Sequence, residues 1–590
     1  MIEPLEPEAR LPGVRAVLLI WLVAAVVLAG VLWSSIPRFG AMDPDDYMRL
    51  AQVRDLLAGQ SWFDVHQYRM APPQGADMHW SRLVDLPIAA FLLFFRLFLP
   101  EALATGLAMT AVPLLQLLLI MLLMRRLLRT LGESEGTALT AAGIVVLFPI
   151  LIGQFTPLRI DHHGWQGICA LASALMLARG NDGRAPFYAG LIGAVWLTIS
   201  LEGLPLVGVV AGVFALRYVL RRENAILAYL AALGLGSLVL FAATRPLAQL
   251  WQPVCDAISL PHLAGFAGGA AVMALAPHLP RQNLLVTRLL ALGLAGVTAL
   301  TLVVFPLGAC AVNPFGTLDP VIQRDWLQYV TEGRPFTAQP PSTAVTLVWT
   351  LLLVIAGWLL VARSRCGDPR RWNEIGLYAL LTAVLSLLIM RAAVSSQFLA
   401  VPLVAVLIAR LLPRIRAIRS DLPRVLGTVA FLLGITPTAA LIAGTFVEQQ
   451  MQPKAEKQDV RSRAAAQESR CDIAALNALP KSHLFALMDM GPEILARTPH
   501  SVVMGPYHRN APKIRDILEA FGGDPARAEA LVRANHPGYL VFCAKLGEAE
   551  IAAGRNPANL AAQLTAGKVP GWLEPVRAFK GGIRVYTLKR

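Results

Sequence analysis

Long apolar runs alternate with short arginine-rich segments along most of this 590-residue chain. Thirteen of the runs are long enough for a helix to cross the hydrocarbon core of a bilayer, which is about 30 Å thick. They lie near residues 14–36, 104–124, 137–155, 165–178, 186–201, 203–220, 225–244, 260–277, 286–307, 344–362, 374–390, 393–409 and 425–446. The pattern predicts a polytopic α-helical membrane protein.

A fourteenth apolar stretch, 83–99, contains Arg96 and decides the orientation of everything after it. If this stretch does not cross, every arginine-rich turn falls on one side of the membrane, as the positive-inside rule requires. An arginine at mid-bilayer would also cost roughly 2.5–3.5 kcal/mol. We therefore expect 83–99 to be an amphipathic helix in the outer interface. The predicted topology has thirteen spans, a cytoplasmic N-terminus and an external C-terminus.

Composition agrees with this class, since 56% of the residues are hydrophobic, 15% are charged and the mean hydropathy is +0.57. The first run, 14–36, is too long for a signal-peptide core and is expected to be a retained anchor. The net charge of +14 comes from arginine blocks between apolar runs, so we do not expect nucleic-acid binding. In an oxidising compartment Cys255 could pair with Cys310, or Cys471 with Cys543.

The C-terminal part of the chain is much less hydrophobic than the rest. It opens with a polar helix-like stretch, 454–478, and continues with short apolar runs separated by helix-like segments, which is typical of a small α/β domain. We divide the chain into a membrane domain, 1–446, and an external domain, 447–590. Two long external loops, 37–103 and 308–343, belong to the membrane domain.

Several polar groups on the predicted outer face are of types that bind metals. Carboxylates cluster at Asp43 to Asp46 after the first span, and an Asp-His-His sequence occupies 161–163. Hard cations such as Mg²⁺ or Mn²⁺ take carboxylate oxygens from separate elements, which favours Asp45 with Asp161, and His163 is an acceptable Mn²⁺ ligand. The alternatives are that one carboxylate caps the following helix and that Asp-His-His is a solvated polar turn.

Three further charged residues lie on the same predicted face. Glu332 sits in a long loop rich in proline and turn residues, where a surface role is the alternative. Arg391 stands at the outer end of a span, against the positive-inside trend, which makes it a candidate for a lipid phosphate or pyrophosphate. Its alternative is snorkelling to external headgroups. Glu202 is a helix-end carboxylate near the same face.

The chain resembles the GT-C class of membrane glycosyltransferases, and more narrowly the catalytic subunit of oligosaccharyltransferase, including its single-subunit bacterial and archaeal forms. The family has an Asp in its first external loop, here Asp45 or, in an alternative alignment, Asp43, and an Asp-x-Asp/Glu motif in its second, here 161–163. Its long fifth external loop carries a Glu, here in Val330-Thr331-Glu332. A thirteen-span domain followed by an external C-terminal domain also matches.

The resemblance implies a set of site residues. Asp45, Asp161 and Glu332 would be catalytic and would hold Mn²⁺ or Mg²⁺ together with His163. Arg391 would face the diphosphate of a polyprenyl-linked donor, and the remaining residues assigned to substrate binding are Asp46, His162 and Asp489.

Two features depart from the family. His163 replaces the second acid of Asp-x-Asp/Glu. The Trp-Trp-Asp-Tyr-Gly motif, which reads the hydroxyl of an Asn-x-Ser/Thr acceptor, is represented by 487–491, Leu-Met-Asp-Met-Gly. Asp489 and the glycine remain, while both tryptophans and the tyrosine are absent, which favours an acceptor other than this sequon.

The resemblance implies a glycosyltransferase that moves a sugar or oligosaccharide from a polyprenyl-(di)phosphate donor to a protein, lipid or polysaccharide. It would act on the periplasmic face of a bacterial inner membrane. The alternatives are a transporter or flippase of lipid-linked sugars and a non-enzymatic envelope scaffold. Transporters place ionisable groups near the bilayer midplane and often contain repeats, whereas these acids cluster at one rim and no halves match.

Overall fold

The computed structural model describes residues 10–40, 43–180, 182–221, 223–311, 313, 315–363, 368–451, 471–579 and 582–589. Cys366, which the predicted topology places on the cytoplasmic side, and most of the predicted polar helix 454–478 lie outside these ranges. Up to residue 451 the α-helices are α1 Arg10–Val31, α2 Pro44–Leu57, α3 Asp85–Arg96, α4 Glu101–Thr130, α5 Glu135–Ile144, α6 Pro149–Gln154, α7 His163–Ala178, α8 Ala185–Ile199, α9 Leu204–Arg221, α10 Ala225–Thr244, α11 Leu260–Leu275, α12 Leu285–Leu307, α13 Pro320–Asp325, α14 Pro341–Arg363, α15 Pro369–Leu388, α16 Ala393–Arg416, α17 Asp421–Gly434 and α18 Pro437–Met451.

After residue 470 the chain contains both helices and strands. The helices are α19 Gly491–Arg497, α20 Ala511–Gly522, α21 Pro525–Ala534, α22 Gly547–Arg555 and α23 Leu560–Thr565. Five strands form one sheet, namely β3 His483–Ala486, β4 Ser501–Val502, β5 Tyr539–Cys543, β6 Leu573–Ala578 and β7 Ile583–Leu588. A two-stranded ribbon of β1 His66–Gln67 and β2 Ala76–Asp77 lies much earlier in the chain.

The described chain forms two compact units. The first, the membrane unit, comprises the described residues up to 40, those from 86 to 313, and 331–451. The second, the sheet unit, comprises the described residues within 41–85, 315–330 and 452–590. The sheet unit therefore contains parts of both long loops as well as the C-terminal region.

Helices cover all thirteen apolar runs of the sequence in the membrane unit. Among the described residues, eight helices are long and apolar enough to cross a membrane. The α17–α18 pair, bent by 80°, would make a ninth if it counts as one span. The structure confirms a multi-pass α-helical membrane protein with a C-terminal sheet-containing region, and the number thirteen stays a prediction.

The stretch 83–99 forms only a 12-residue α-helix, α3. At 1.5 Å per residue it is about 18 Å long, too short for a bilayer core of about 30 Å. Its Arg96 pairs with Glu101 at the exposed start of α4. Both facts agree with a helix that lies in the interface.

Small residues allow the helices of the membrane unit to approach closely. A Cβ atom at Gly190 on α8 would overlap the backbone carbonyl of Tyr229 on α10. A Cβ at Gly167 on α7 would overlap the ring of Phe398 on α16. Close backbone approach of this kind is how helices gain packing contacts where both faces meet apolar surroundings. Helix α16 is the most buried candidate span.

The five-stranded sheet has the order β4-β3-β5-β7-β6. β3 runs parallel to both β4 and β5, and β7 is antiparallel to β5 and β6. The rings of Phe485, Phe521 and Phe542 pack together in the core. A disulfide joins Cys471 to Cys543 on β5, and another joins Cys255 to Cys310 in the membrane unit. Both predicted cysteine pairs are therefore present.

Segments of the first external loop are built into the sheet unit. Val502 on β4 donates its N–H to the Arg69 carbonyl at 2.8 Å and accepts from the Ala71 N–H at 2.9 Å. The Arg69 side chain donates to the carbonyls of Leu495 and Thr498. Because buried backbone groups must be paired, these bonds fix the loop to the edge of the sheet.

We expect Gly190→Ala to destabilise the membrane unit by about 1–3 kcal/mol, because the new methyl group would meet backbone that cannot rotate away. The measurement is the unfolding temperature of the purified full-length protein in detergent. The control is Gly208→Ala on α9, where nothing lies within 4 Å of the new Cβ. Equal unfolding temperatures for the two variants would contradict the close α8–α10 contact.

Candidate active site and metal centre

The loop between α6 and α7 presents Asp161 at the start of a packed helix. Leu158 donates its N–H to the Met109 carbonyl at 3.1 Å, which fixes the loop to α4. The buried Asp161 carboxylate accepts the His163 N–H at 3.0 Å and forms an ion pair with Arg159 at 2.6 Å. Burial opposes ionisation of Asp161, but the charges of His163 and Arg159 outweigh it and lower its pKa to about 2. Asp161 is therefore a fixed anion.

A second carboxylate, Glu202, is held beside the adjacent histidine pair. The Gln166 amide donates to Glu202 at 3.2 Å and accepts the indole N–H of Trp196 at 3.1 Å. The Nε2 atom of His162 lies 3.5 Å from Glu202, and the rings of His162 and His163 are 4.5 Å apart. The chain from Trp196 through Gln166 thus orients Glu202 toward both imidazoles.

Arg391 connects Glu202 to the carboxylate of the long loop. Its guanidinium pairs with Glu202, and its Nε lies 3.3 Å from Glu332. The loop is tied down by a hydrogen bond from the Met390 N–H to the Arg334 carbonyl at 3.3 Å. Since buried helix α16 begins two residues after Arg391, the guanidinium is positioned by rigid structure.

The membrane unit therefore brings together most of the predicted site residues at one place. The cluster, which we call the rim cluster, consists of Asp161, His162, His163, Glu202, Glu332, Arg391 and Arg159. It contains three carboxylates and two guanidinium groups. These charged groups sum to one negative charge, which either a protonated imidazole or a bound cation would balance.

Part of the rim cluster has the spacing of a metal site. One ligand atom each from His162, His163 and Glu202 lie within 4.8 Å of one another. Two imidazoles and a carboxylate suit Zn²⁺ or Mn²⁺ better than Mg²⁺, which prefers oxygen ligands. The donor set fits a divalent metal, although it overlaps the sequence-based set Asp45, Asp161, His163 and Glu332 only partly.

The remaining predicted residues belong to the sheet unit, where Asp43 to Asp46 begin α2. Asp43 caps the helix by accepting the Asp45 N–H at 3.1 Å, and Asp46 accepts the Asp43 N–H at 3.2 Å. This capping box is the alternative considered for the cluster, and it employs Asp43 and the buried Asp46. The Asp45 side chain interacts with the Tyr507 hydroxyl. Burial, then the charges of Asp45 and Asp43, raise the pKa of Tyr507 well above its usual value.

Asp489 lies at the mouth of a cavity of about 70 Å³ in the sheet unit. The Glu548 carboxylate accepts the N–H groups of Met488 and Asp489, both at 2.9 Å. Burial and the charge of Asp489 raise the pKa of Glu548 to about 8. Loss of surrounding water and the charge of Asp43 raise the pKa of Asp489 as well. The cavity therefore contains a pair of acids of which one retains a proton near neutral pH.

Sequence reasoning missed the residues that support these acids. Gln166 follows His162 by four positions and so lies on the same helix face, which was the available signal. Trp196 and Glu548 had no comparable signal, because they meet their partners only through the fold. Glu202 was considered, but its contacts with Arg391 and the histidines could not be read from spacing.

No protein-family model matches the sequence, and no curated protein sequence matches it. Similarity appears among solved structures. The archaeal oligosaccharyltransferase AglB from Archaeoglobus fulgidus, in complex with an inhibitory peptide and a dolichol-phosphate, matches with a TM-score of 0.63 and 15% identity, over 97% of this chain and 74% of that chain. The same organism's oligosaccharyltransferase tethered to an acceptor peptide with the NVT sequon matches at 0.60 and 14%, over 97% and 74%. Its complex with Zn and sulfate matches at 0.57 and 14%, over 93% and 70%.

The chain has the fold of these archaeal oligosaccharyltransferase structures. At identities of 14–15% the likeness concerns the fold alone. The rim cluster and the acids of the sheet unit rest on this chain's own geometry.

We expect Glu548 to contribute stability that is lost as pH rises from about 4.5 through 8. The folded state binds the Glu548 proton more tightly than the unfolded chain, because its pKa is raised to about 8 from 4.5. Stability falls with pH wherever the folded state holds more protons. Unfolding temperatures of the full-length protein and of Glu548→Gln between pH 5 and 9 measure this.

The variant should show a flatter pH profile, whereas Glu550→Gln, an exposed neighbour, should keep the original slope. An unchanged slope in Glu548→Gln would contradict the assignment.

Proposed function

We propose that this protein transfers a sugar or oligosaccharide from a polyprenyl-(di)phosphate-linked donor to an acceptor. The acceptor is a protein, a lipid or a polysaccharide. The observation that carries the proposal is the rim cluster, in which Arg391 stands between Glu202 and Glu332 beside Asp161 and two histidines. The GT-C fold supports it, and the solved relative bound to a dolichol-phosphate and a peptide carries the corresponding ligand types.

Arg391 is the group proposed to hold the donor phosphate. A guanidinium offers several donors in a planar fork and binds phosphate in the two-bond geometry that a lysine cannot reproduce. Its present partners, Glu202 and Glu332, keep it at the start of α16. A donor phosphate would compete with these carboxylates for the same N–H groups, so donor binding would release acid oxygens for other ligands.

The carboxylates are proposed to hold a divalent metal and to orient the acceptor. Asp161, Glu332 and His163 come from the rim cluster, and Asp45 is included on the family resemblance. His162 and Glu202 extend this set on the geometry described above. A bound divalent cation would neutralise negative charge that develops on the leaving phosphate. A carboxylate near the acceptor would accept its proton or fix its orientation.

The acceptor is proposed to enter beside Asp489. Its carboxylate lines a cavity together with the charged side chains of Asp325, Glu548 and Arg555, and apolar side chains form the rest of the wall. Asp46 and His162 are also proposed to contribute to substrate binding. Asp46 is buried in the capping box, so its contribution would be to hold the start of α2 in place.

We place the catalytic face on the periplasmic side of a bacterial inner membrane, with the N-terminus in the cytoplasm. We also keep the division into a membrane domain, 1–446, and a periplasmic domain, 447–590. Positive-inside bias supports the orientation. The two disulfides support an oxidising compartment for Cys255, Cys310, Cys471 and Cys543.

Glu332→Gln, Asp45→Asn and Arg391→Gln are each expected to lower transfer by about 10²-fold or more, because each removes charge stabilisation from the reacting centre. The assay uses membranes supplied with extracted lipid-linked glycans and follows the mass gained by the acceptor. Glu101→Gln, an acid at the exposed start of α4, is the matched control and should retain activity. Normal transfer by the Glu332 and Asp45 variants would refute the proposal.

Metal binding should depend on His163 and Glu202. Isothermal titration of the purified protein with Mn²⁺ and Zn²⁺ is expected to show affinity that falls about tenfold or more in His163→Ala and Glu202→Gln. His278→Ala, which removes an exposed histidine elsewhere, should leave binding unchanged. If Mg²⁺ bound as tightly as Mn²⁺ and both variants bound like the wild type, the metal would not use this donor set.

A further inference from the structure

Arg288 is a buried base without a counter-ion among the described residues. It lies in the first turn of α12, and the residue is only 9% exposed. Its Nε and Nη1 atoms are buried and find no hydrogen-bond acceptor in the described part of the chain. By contrast, Arg217 and Arg221 nearby both pair with Glu374. Because an uncompensated buried charge is costly, Arg288 indicates an anion that the chain itself does not supply.

The start of α12 offers further donors at the same end of the helix. Residue 284, at the position before the first turn, is a leucine and cannot cap the free N–H groups. Uncapped N–H groups and the positive end of the helix dipole attract anions. Side chains on a helix lean toward its N-terminus, so the guanidinium of Arg288 is directed to the end where these groups lie.

The surface around this end is mixed, since His278, Arg281 and Asn283 are exposed just before α12 and exposed leucines begin in its first turns. Leu285 and Leu289 are 51% and 49% exposed. In a membrane protein, exposed leucines on spanning helices contact acyl chains. Arg288 is the fourth residue of α12 and lies about 4.5 Å along the helix axis from the first, so it belongs to the end of the helix that carries the uncapped N–H groups.

We propose that Arg288 and the first turn of α12 bind the phosphate of an anionic phospholipid, with its acyl chains against Leu285 and Leu289. The planar guanidinium suits phosphate oxygens, and basic sites between helices on the arginine-rich side of membrane proteins attract anionic headgroups. The site is independent of the proposed transferase activity and lies on the side of the membrane opposite to the rim cluster in the predicted topology.

The test uses delipidated full-length protein in detergent. Phosphatidylglycerol, phosphatidylcholine and inorganic phosphate are titrated separately, and binding is followed by native mass spectrometry and by the unfolding temperature. Phosphatidylglycerol should bind the wild type and raise its unfolding temperature. Arg288→Gln should weaken this binding about fivefold to tenfold. The matched control is Arg126→Gln, an exposed arginine near the end of α4 on the same predicted side, and it should bind like the wild type.

Without lipid, Arg288→Gln should unfold at the same or a higher temperature than the wild type, because the change removes a buried charge that has no partner. Lower stability of the lipid-free variant would mean that Arg288 is paired within the protein and would overturn the proposal. Wild-type affinity in Arg288→Gln, or equal losses in both variants, would also overturn it. Full stabilisation by inorganic phosphate alone would show that the occupant is free phosphate and not a lipid.

Discussion

The arrangement at the predicted outer rim depends on one constraint. Several carboxylates lie close together near the ends of packed helices, and positive groups must balance their negative charge. Asp161, Glu202 and Glu332 cannot gather without cations, and Arg159 and Arg391 supply two of them. Arg391 is the more consequential of the two, because it bridges an acid on a helix end and an acid on a long loop. The buried helix α16 behind it makes this bridge a fixed feature of the membrane unit.

Helix packing within the membrane unit holds the residues of the rim cluster in place. Gly167 brings α7 against Phe398 of α16, so the helix that starts at His163 and the helix that follows Arg391 share one interface. The hydrogen-bonded pair Trp196 and Gln166 then fixes the Glu202 carboxylate. A site held in this way can keep its acids in place while the ligands exchange, which is what electrostatic stabilisation of a reaction requires.

The sheet unit handles its acids differently. Asp43 and Asp46 form the capping box at the start of α2. The Glu548 carboxylate accepts the backbone N–H groups of Met488 and Asp489. Buried arginines, among them Arg49 and Arg82 on Asp85, hold the loop that follows α2. These contacts explain why much of the first external loop belongs to a folded unit. Its composition alone would indicate only a polar loop between two helices.

The hydrophobic pattern was sufficient to predict the fold class. A helix that spans a bilayer must be apolar over its whole length, so it is recognised in the sequence as a long apolar run. Charge bias was sufficient to keep 83–99 out of the membrane, and the 12-residue helix there agrees. The candidate residues Asp161, His163 and Arg391 could also be chosen from the sequence, since each is a charged or polar group beside a helix end. Glu332, in a long loop, was chosen on the family resemblance.

Only the tertiary structure decided which of these groups meet. Residues far apart in the chain meet in three places. Arg391 pairs with Glu202 and Glu332, and Glu202 approaches His162. The Glu548 carboxylate accepts the N–H of Asp489. Local pattern carries no information on such pairs, because their separation is set by how helices pack and loops close. The sequence by itself determined that the protein is a bundle of membrane helices with acids at its rim, and the packing of those helices determined what the acids can bind.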